Sequence, residues 1–209
     1  MPSIRKRGKE LERAILEAAF EIFQTSGYQE MTFQNVAKKA KTSRTVLYRQ
    51  YVTQINLLHE MAHYRISQVF GELTILDLIE DRGSLRSDLQ AMASIYQRFL
   101  VAVGPELFSA VMLELSRKQD ILKEMSIHAQ EVSAQIMQKI QDFAKKRGEL
   151  TCDLTTMQVQ LPFNMMRYEY IIQGGNLTES YLSHLVDEVL LPIYLNNKSL
   201  NNFQRAGQV

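Results

Sequence analysis

The first regular pattern in the chain is an apolar stripe, in which hydrophobic side chains recur every three to four residues. The stripe consists of Leu11, Ile15, Ala18, Ala19, Ile22 and Phe23. This spacing places the side chains on one face of an amphipathic helix, and it predicts a helix over residues 9–26. Gly27 follows where a helix end favours a left-handed backbone.

Two shorter helical patterns come next. Thr32 is a suitable N-cap for a helix whose inner side carries Phe33, Val36, Ala37 and Ala40. The pattern breaks at Lys41-Thr42, and Ser43 can cap a third helix that buries Leu47 and ends near Tyr51. Three short helices with a tight turn between the second and third form a helix-turn-helix unit.

Beyond residue 52 the helical segments are longer, and few glycines or prolines interrupt them. Six helices are predicted, over residues 53–80, 84–102, 105–116, 119–147, 155–173 and 178–195. Pro105 suits the first turn of its helix, Gly174-Gly175 ends another, and Thr178 caps the last. The chain therefore divides into a head (residues 1–52), a body (residues 53–196) and a polar, flexible tail (residues 197–209).

Composition and charge narrow the class of protein. Apolar residues make up 45% of the 209 residues and charged residues 22%, which is typical of a soluble globular chain. The net charge of +1 is unevenly distributed: residues 1–51 hold ten Lys or Arg against five Asp or Glu, whereas the remainder holds fourteen against eighteen. A basic head on an acidic body suggests an anionic partner for the head, although a solvated basic face is an equal alternative.

The cellular location of the protein is predicted from targeting and membrane features that the sequence lacks. No apolar run reaches the roughly 20 residues that cross a bilayer, and the basic, polar start is unlike a secretory signal. The single cysteine, Cys152, has no partner for an internal disulfide. These features predict a cytoplasmic protein with no membrane partner.

The stretch GYQEMTFQNVAKKAKTSRTVLYRQYVTQINLL, from Gly27 to Leu58, resembles the TetR family of bacterial transcription regulators. The stretch LPFNMMRYEYIIQGGNLTESYLSHLVDEVL resembles the dimerisation helices of one TetR subgroup. The match of the first stretch, from Gly27 to Leu58, has no gap. It includes Gly27, Tyr28, Thr32, Val36, Ala37, Ala40, Ser43, Leu47, Tyr48, Tyr51, Leu57 and Leu58. Three positions depart from the family pattern: Lys41 replaces its turn glycine, Tyr51 its closing phenylalanine, and Gln54 a lysine that opens the fourth helix.

The resemblance implies an all-α fold: an N-terminal three-helix helix-turn-helix DNA-binding domain followed by a C-terminal helical ligand-binding and dimerisation domain. Helix physics agrees, because a helix fits the major groove and its first residues face the base edges. Arg44 can bind guanine O6 and N7, and Thr45 or Val46 can contact a thymine methyl. The predicted DNA contacts are Thr32, Thr42, Ser43, Arg44, Thr45, Val46, Tyr48, Arg49 and Gln54. The resemblance gives Tyr48 a phosphate contact. A basic arm of Arg5, Lys6, Arg7 and Lys9 is a further candidate for a minor-groove or phosphate contact, and a disordered basic tail is the equal alternative. The alternative is that Thr32 and Ser43 only cap helices and Tyr48 only packs.

The segment HEMAH, residues 59–63, formally matches the H-E-x-x-H pattern of zinc peptidases. A catalytic zinc needs a third protein ligand, and the extended form of the motif would place glycine and histidine where Ile66 and Val69 stand. His59 and His63 are predicted to lie on the polar face of the helix that joins head and body. We therefore predict no catalytic residues, no metal and no cofactor.

By resemblance, the last two helices (about 155–173 and 178–195) pair with those of a second copy to form a homodimer. An apolar stripe of Leu182, Leu185, Val186, Val189 and Leu190 supports this interface, because it is wider than one internal contact requires. The family also carries a small-molecule pocket in the body. The candidate lining residues are Met92, Tyr96, Phe99, Phe108, Met112, Met125, Met165 and Tyr168, and plain core packing is the alternative for each.

The sequence thus predicts a sequence-specific DNA-binding transcription regulator, a dimeric repressor that a small, mostly hydrophobic ligand releases from double-stranded operator DNA. Two alternatives remain open. A regulator without an inducer would be controlled by a protein partner, and a zinc-dependent hydrolase would use His59, Glu60 and His63. The first alternative has no discriminating feature in the sequence, whereas the second would require about one tightly bound zinc per chain.

Overall fold

A computed structural model of the chain describes residues 8–117 and 119–196, apart from the side chains of residues 115 and 119–126. Every regular element in this part of the chain is helical. The basic-arm residues Arg5, Lys6 and Arg7, the predicted tail 197–209 and the side chain of Met125 lie outside the described residues.

The head consists of helices α1 to α3, and their bounds confirm the prediction from the sequence. The first, α1, spans Lys9–Ser26 and ends at Gly27, whose φ is 82°. Helix α2 spans Phe33–Lys39 and α3 spans Arg44–Gln50. A single 3₁₀ turn, Tyr28–Glu30, joins α1 to α2.

The body begins with α4, Gln54–Phe70, which is shorter than the predicted helix over 53–80. That prediction was wrong because Gly71 has a φ of 66°, a left-handed backbone that ends the helix. Only a 3₁₀ turn, Leu76–Leu78, follows before α5.

The remaining helices agree more closely with the prediction. Their bounds are α5 Leu85–Val103, α6 Pro105–Ser116, α7 Gln119–Lys146, α8 Thr156–Arg167, α9 Glu179–His184 and α10 Leu191–Leu195. The segments Tyr168–Ile172 after α8 and Leu185–Leu190 between α9 and α10 have the wider π-helical turn. Each of the last two predicted helices is therefore helical without a break, but neither is α-helical throughout.

The core of the head does not stop at the predicted boundary after residue 52. Side chains of α1 to α3 pack in one cluster with Leu57 and Met61 of α4 and with Leu107 and Val111 of α6. A second cluster fills the body between α5, α7, α8 and the C-terminal helices. Phe99 of α5 contacts both clusters. A movement of α4 or α6 would therefore displace side chains in the core of the head.

A charged cluster ties the start of α5 to the end of α7. The carboxylate of Asp88, fully buried, accepts hydrogen bonds from Arg147 Nη2 at 2.6 Å and from the Arg82 backbone N–H at 2.7 Å. Arg147 also pairs with Asp81 and, at 2.5 Å, with Glu149. Each ion of the buried pair is thus compensated, as a stable fold requires.

Candidate nucleic-acid interface

Hydroxyl side chains cap the first turn of both helices of the helix-turn-helix. Thr32 Oγ1 accepts a hydrogen bond from the Asn35 backbone N–H at 3.2 Å, and Ser43 Oγ accepts one from Val46 at 3.4 Å. Each bond satisfies a backbone donor that the first turn of a helix leaves free. The capping hydroxyl can still donate its own proton, so the cap and a phosphate contact are compatible.

The turn between α2 and α3 has a left-handed residue at Lys41, where the family pattern has glycine. Lys41 has a φ of 56°, the only positive φ at a non-glycine residue among those described. The Thr42 N–H donates to Ala37 O at 2.9 Å, and the Lys41 N–H donates to Lys38 O at 3.3 Å, closing the end of α2. A side chain in this region costs about 1–2 kcal/mol, so the turn is strained.

Helix α3 buries one side and exposes the other. Leu47 is fully buried in the head core, and Val46 is half-buried. The exposed side carries Ser43, Arg44, Thr45, Tyr48, Arg49 and Gln50. Because the first residues of α3 are free of the core, they are available to the edges of bases in a major groove.

Arg44 lies beside a residue that the sequence reasoning missed. Its Nη1 donates to Gln34 Oε1 of α2 at a long 3.4 Å, and both side chains are exposed. The contact directs the guanidinium without occupying most of its donors. Gln34 is the second residue of α2 and is exposed, and this position is the signal that makes it a further candidate for the interface.

Tyr48 is oriented by an aromatic neighbour rather than buried by it. Its ring meets Phe33 edge to face, with centroids 4.9 Å apart and an interplanar angle of 76°. The side chain is nonetheless 62% exposed. The packing fixes the direction of the ring, and the exposure leaves the side chain accessible to a phosphate.

Gln54, unlike most of the other predicted DNA contacts, makes a hydrogen bond inside the head. Its side-chain amide donates to the backbone carbonyl of Tyr28 at 2.9 Å and so links the start of α4 to the turn after α1. Thr42 is half-buried in the turn, while Thr32 and Arg49 are exposed. Gln54 is thus half-buried and hydrogen-bonded inside the head, whereas most of the other predicted residues face solvent.

The HEMAH segment lies on α4. Nε2 of His59 and Nε2 of His63 are 3.2 Å apart, and His63 is exposed while His59 is half-buried. Burial, with a smaller contribution from His63, lowers the pKa of His59, and Glu60 opposes the shift. No group of three or more His, Cys, Asp or Glu side chains is placed to hold a metal in the part of the chain described.

The candidate pocket residues do not form one site. Met92 and Tyr96 lie in the body core, where Tyr96 stacks on Phe99 at 5.7 Å and meets Phe163 edge to face at 5.0 Å. Phe108 and Met112 of α6 pack instead against the core of the head. Met165 is half-buried at the edge of the body core, and Tyr168 is 55% exposed.

An open cavity of about 310 Å³ lies elsewhere, along α7 and the start of α8. Its lining is rich in glutamine and includes none of the predicted pocket residues: Gln130, Glu131, Ala134, Gln138, Gln141, Asp153, Leu154, Thr156, Val159 and Gln160.

The apolar stripe assigned to the dimer belongs largely to the chain's own core. Leu182, Leu185, Val186 and Leu190 are all buried at 3% exposure or less, and only Val189 is half-buried. The width of the stripe reflects contact with two internal neighbours, α5 and α8, so its use as evidence for an interface was wrong. The same helices expose other apolar side chains, namely Met157, Tyr168, Ile172, Ile193 and Leu195.

These features define a class of protein: an all-helical chain that presents a capped helix-turn-helix on a helical body. The chain belongs to the TetR family. The model described as "Bacterial regulatory proteins, tetR family" matches residues 15–61, and the one described as "Tetracyclin repressor-like, C-terminal domain" matches residues 79–189. The resemblance found in the sequence is confirmed, and the chain is a DNA-binding regulator of this family. Among the residues that the structure describes, none of the helices combines the length and the hydropathy of a membrane span.

Individual relatives are distant. The DNA-binding transcriptional repressor TetR of Mycobacteroides abscessus is 24% identical over 187 residues, which cover 88% of this chain and 94% of that protein. Among solved structures, a chain from Mesorhizobium loti assigned to the TetR family has a TM-score of 0.64 at 18% identity and covers 91% of this chain and 98% of its own. Bacillus subtilis FadR in complex with stearoyl-CoA has a TM-score of 0.54 at 16% identity, with 88% and 98% covered. These solved relatives share the fold.

Proposed function

We propose that this chain is a transcriptional repressor that binds operator DNA as a homodimer through α3. The observation that carries the proposal is the exposed start of α3, where Arg44 and Thr45 project from a capped helix beside the oriented ring of Tyr48. The name of the M. abscessus relative supports repression as the sign of regulation. The head, residues 1–52, supplies the DNA contacts. The body, residues 53–196, supplies the dimer interface and the effector site.

Arg44 and Tyr48 have separable roles in this proposal. Arg44→Ala is expected to weaken specific binding by about 1–3 kcal/mol and to relax the choice of one base pair in each half-site. Tyr48→Phe removes a phosphate contact, which carries no base information, and is expected to weaken all duplexes about equally. Binding to a panel of single base-pair substitutions measures both effects. A base-preference profile that Arg44→Ala leaves unchanged would contradict this placement of α3.

The dimer in this proposal uses the exposed face of the C-terminal helices. Met157, Tyr168 and Ile172 are 85%, 55% and 68% exposed, and they repeat along α8 and its π-helical extension. Ile193 and Leu195 of α10 are also exposed. In the dimer these side chains would be covered by the same face of a second copy.

The effector in this proposal is a mostly apolar molecule that enters the body beside Tyr96. Three aromatic rings and several methionines meet there, and methionine packing adapts readily to a ligand. Phe99 contacts both cores. A ligand that separates the helices of the body would therefore also displace side chains in the core of the head. A ligand shifts operator affinity only if it binds one arrangement better than the other, with a typical coupling of about 1–3 kcal/mol.

Stearoyl-CoA is a suitable first probe, because it is the ligand in the B. subtilis FadR structure. It is expected to weaken operator binding by about 5- to 150-fold, and operator DNA is expected to weaken its binding by the same factor. Met165→Asp places a charge at the edge of the body core and is expected to abolish the response without changing ligand-free operator binding. Met165→Leu conserves volume and is the control. Operator affinity that stays constant at saturating ligand would favour the alternative of control by a protein partner.

A further inference from the structure

The two histidines of α4 form a pair that the DNA-binding function does not use. His59 and His63 are four residues apart on one helix, and their Nε2 atoms approach to 3.2 Å. Their rings are nearly perpendicular, at 75°, with centroids 4.4 Å apart. Positions i and i+4 share a helix face, so the backbone itself holds the two nitrogens together.

The separation of the nitrogens is the one that chelation of a single ion requires. Metal–nitrogen bonds to imidazole are about 2.0–2.1 Å long, so two such bonds span about 3.3 Å at a tetrahedral angle and about 2.9 Å at a right angle. The observed 3.2 Å lies between these limits. The helix backbone therefore already holds the two nitrogens at a separation that suits one ion.

We propose that His59 and His63 form a two-histidine clamp for a divalent transition-metal ion such as Zn²⁺, Ni²⁺ or Cu²⁺. Imidazole nitrogen selects these ions, whereas Mg²⁺ and Ca²⁺ prefer oxygen ligands. The exposed side of the pair gives the ion an entry path and leaves its other positions to water. Glu60 lies close enough to His59 to act on its charge, and it adds negative potential for a cation.

The clamp differs from the peptidase centre that the same five residues suggest. A catalytic zinc has three protein ligands, and within the described residues no third His, Cys, Asp or Glu joins this pair. The site therefore holds its ion loosely and exchanges it. A bound ion cross-links one turn of α4, the helix whose Leu57 and Met61 pack in the core of the head.

Calorimetric titration of the untagged full-length protein with NiCl₂, ZnCl₂ and CuCl₂ tests the clamp, with MgCl₂ as the ion that should not bind. One site per chain is expected, together with a rise in melting temperature on addition of the ion. Either His59→Gln or His63→Gln should weaken binding about 10-fold or more, because the second ligand no longer acts at high effective concentration. His128→Gln is the control, since His128 is exposed on α7 and should leave binding unchanged.

His63 is exposed, so His63→Gln carries the test even if the half-buried His59 tolerates no substitution. Two results would overturn the proposal. One is the absence of heat up to millimolar Ni²⁺, Zn²⁺ and Cu²⁺, which would leave the pair as a hydrogen bond only. The other is equal affinity in the wild type, His63→Gln and His128→Gln, which would place the ion elsewhere on the chain.

Discussion

Ile172→Asp is expected to give a folded chain that no longer dimerises and that binds operator DNA about 100-fold more weakly or worse. Ile172 is 68% exposed in the single chain, so a carboxylate there costs the monomer little. In the proposed dimer the same carboxylate would be buried against the apolar face of a second copy, which is strongly unfavourable. Loss of the dimer removes the gain from binding two half-sites at once. Sedimentation and operator titration measure the two effects.

Leu185→Asp is the matched comparison in the same region. Leu185 is 3% exposed and packs inside the chain's own core, so its replacement by a charge is expected to unfold the protein rather than to release monomers. Circular dichroism separates the two variants. A stable dimer of Ile172→Asp, with full operator affinity, would mean that the interface lies on another surface.

Asp88→Ala is expected to lower the free energy of unfolding by about 1–3 kcal/mol, because it removes a buried acceptor and leaves two hydrogen-bond donors without it. Arg147 would keep Asp81 and Glu149 but lose its most buried partner, and the Arg82 N–H would lose its acceptor. Urea unfolding of the full-length protein measures the change.

The control for this effect is the exposed ion pair between α5 and the C-terminal helices. Arg86 Nε and Nη2 each lie 2.7 Å from a carboxylate oxygen of Asp187. Water screens this pair, so Arg86→Ala should destabilise the chain far less than Asp88→Ala. Equal effects of the two substitutions would show that burial does not set the strength of these contacts.

Local signals predicted the head accurately. The stripe from Leu11 to Phe23 and the capping residues Thr32 and Ser43 fix the three helices, because spacing and capping act within one or two turns. The predicted helix over 53–80 runs past the end of α4, because a single glycine such as Gly71 is a weak stop signal inside a helical pattern.

The surfaces of the body could not be predicted in the same way. An apolar stripe shows that a helix face is covered, but not whether its own chain or a second chain covers it. Leu185 and Val186 contact internal neighbours, whereas Met157 and Ile172, which the stripe did not include, face outward. The described pocket candidates lie in two clusters for a related reason, because Phe108 and Met112 pack against the core of the head. Tertiary packing decides both questions.

Operator recognition by a dimer through α3 can be tested by selecting duplexes from a random pool with the full-length protein, which needs neither a known operator nor a known ligand. The expected product is an inverted repeat whose half-sites are centred about one helical turn, 10–10.5 base pairs, or a multiple of it apart. Arg44→Ala should select the same repeat with one degenerate position in each half. Enrichment of no sequence, or of a single unrepeated site that Arg44→Ala leaves unaltered, would contradict operator recognition by a dimer through α3.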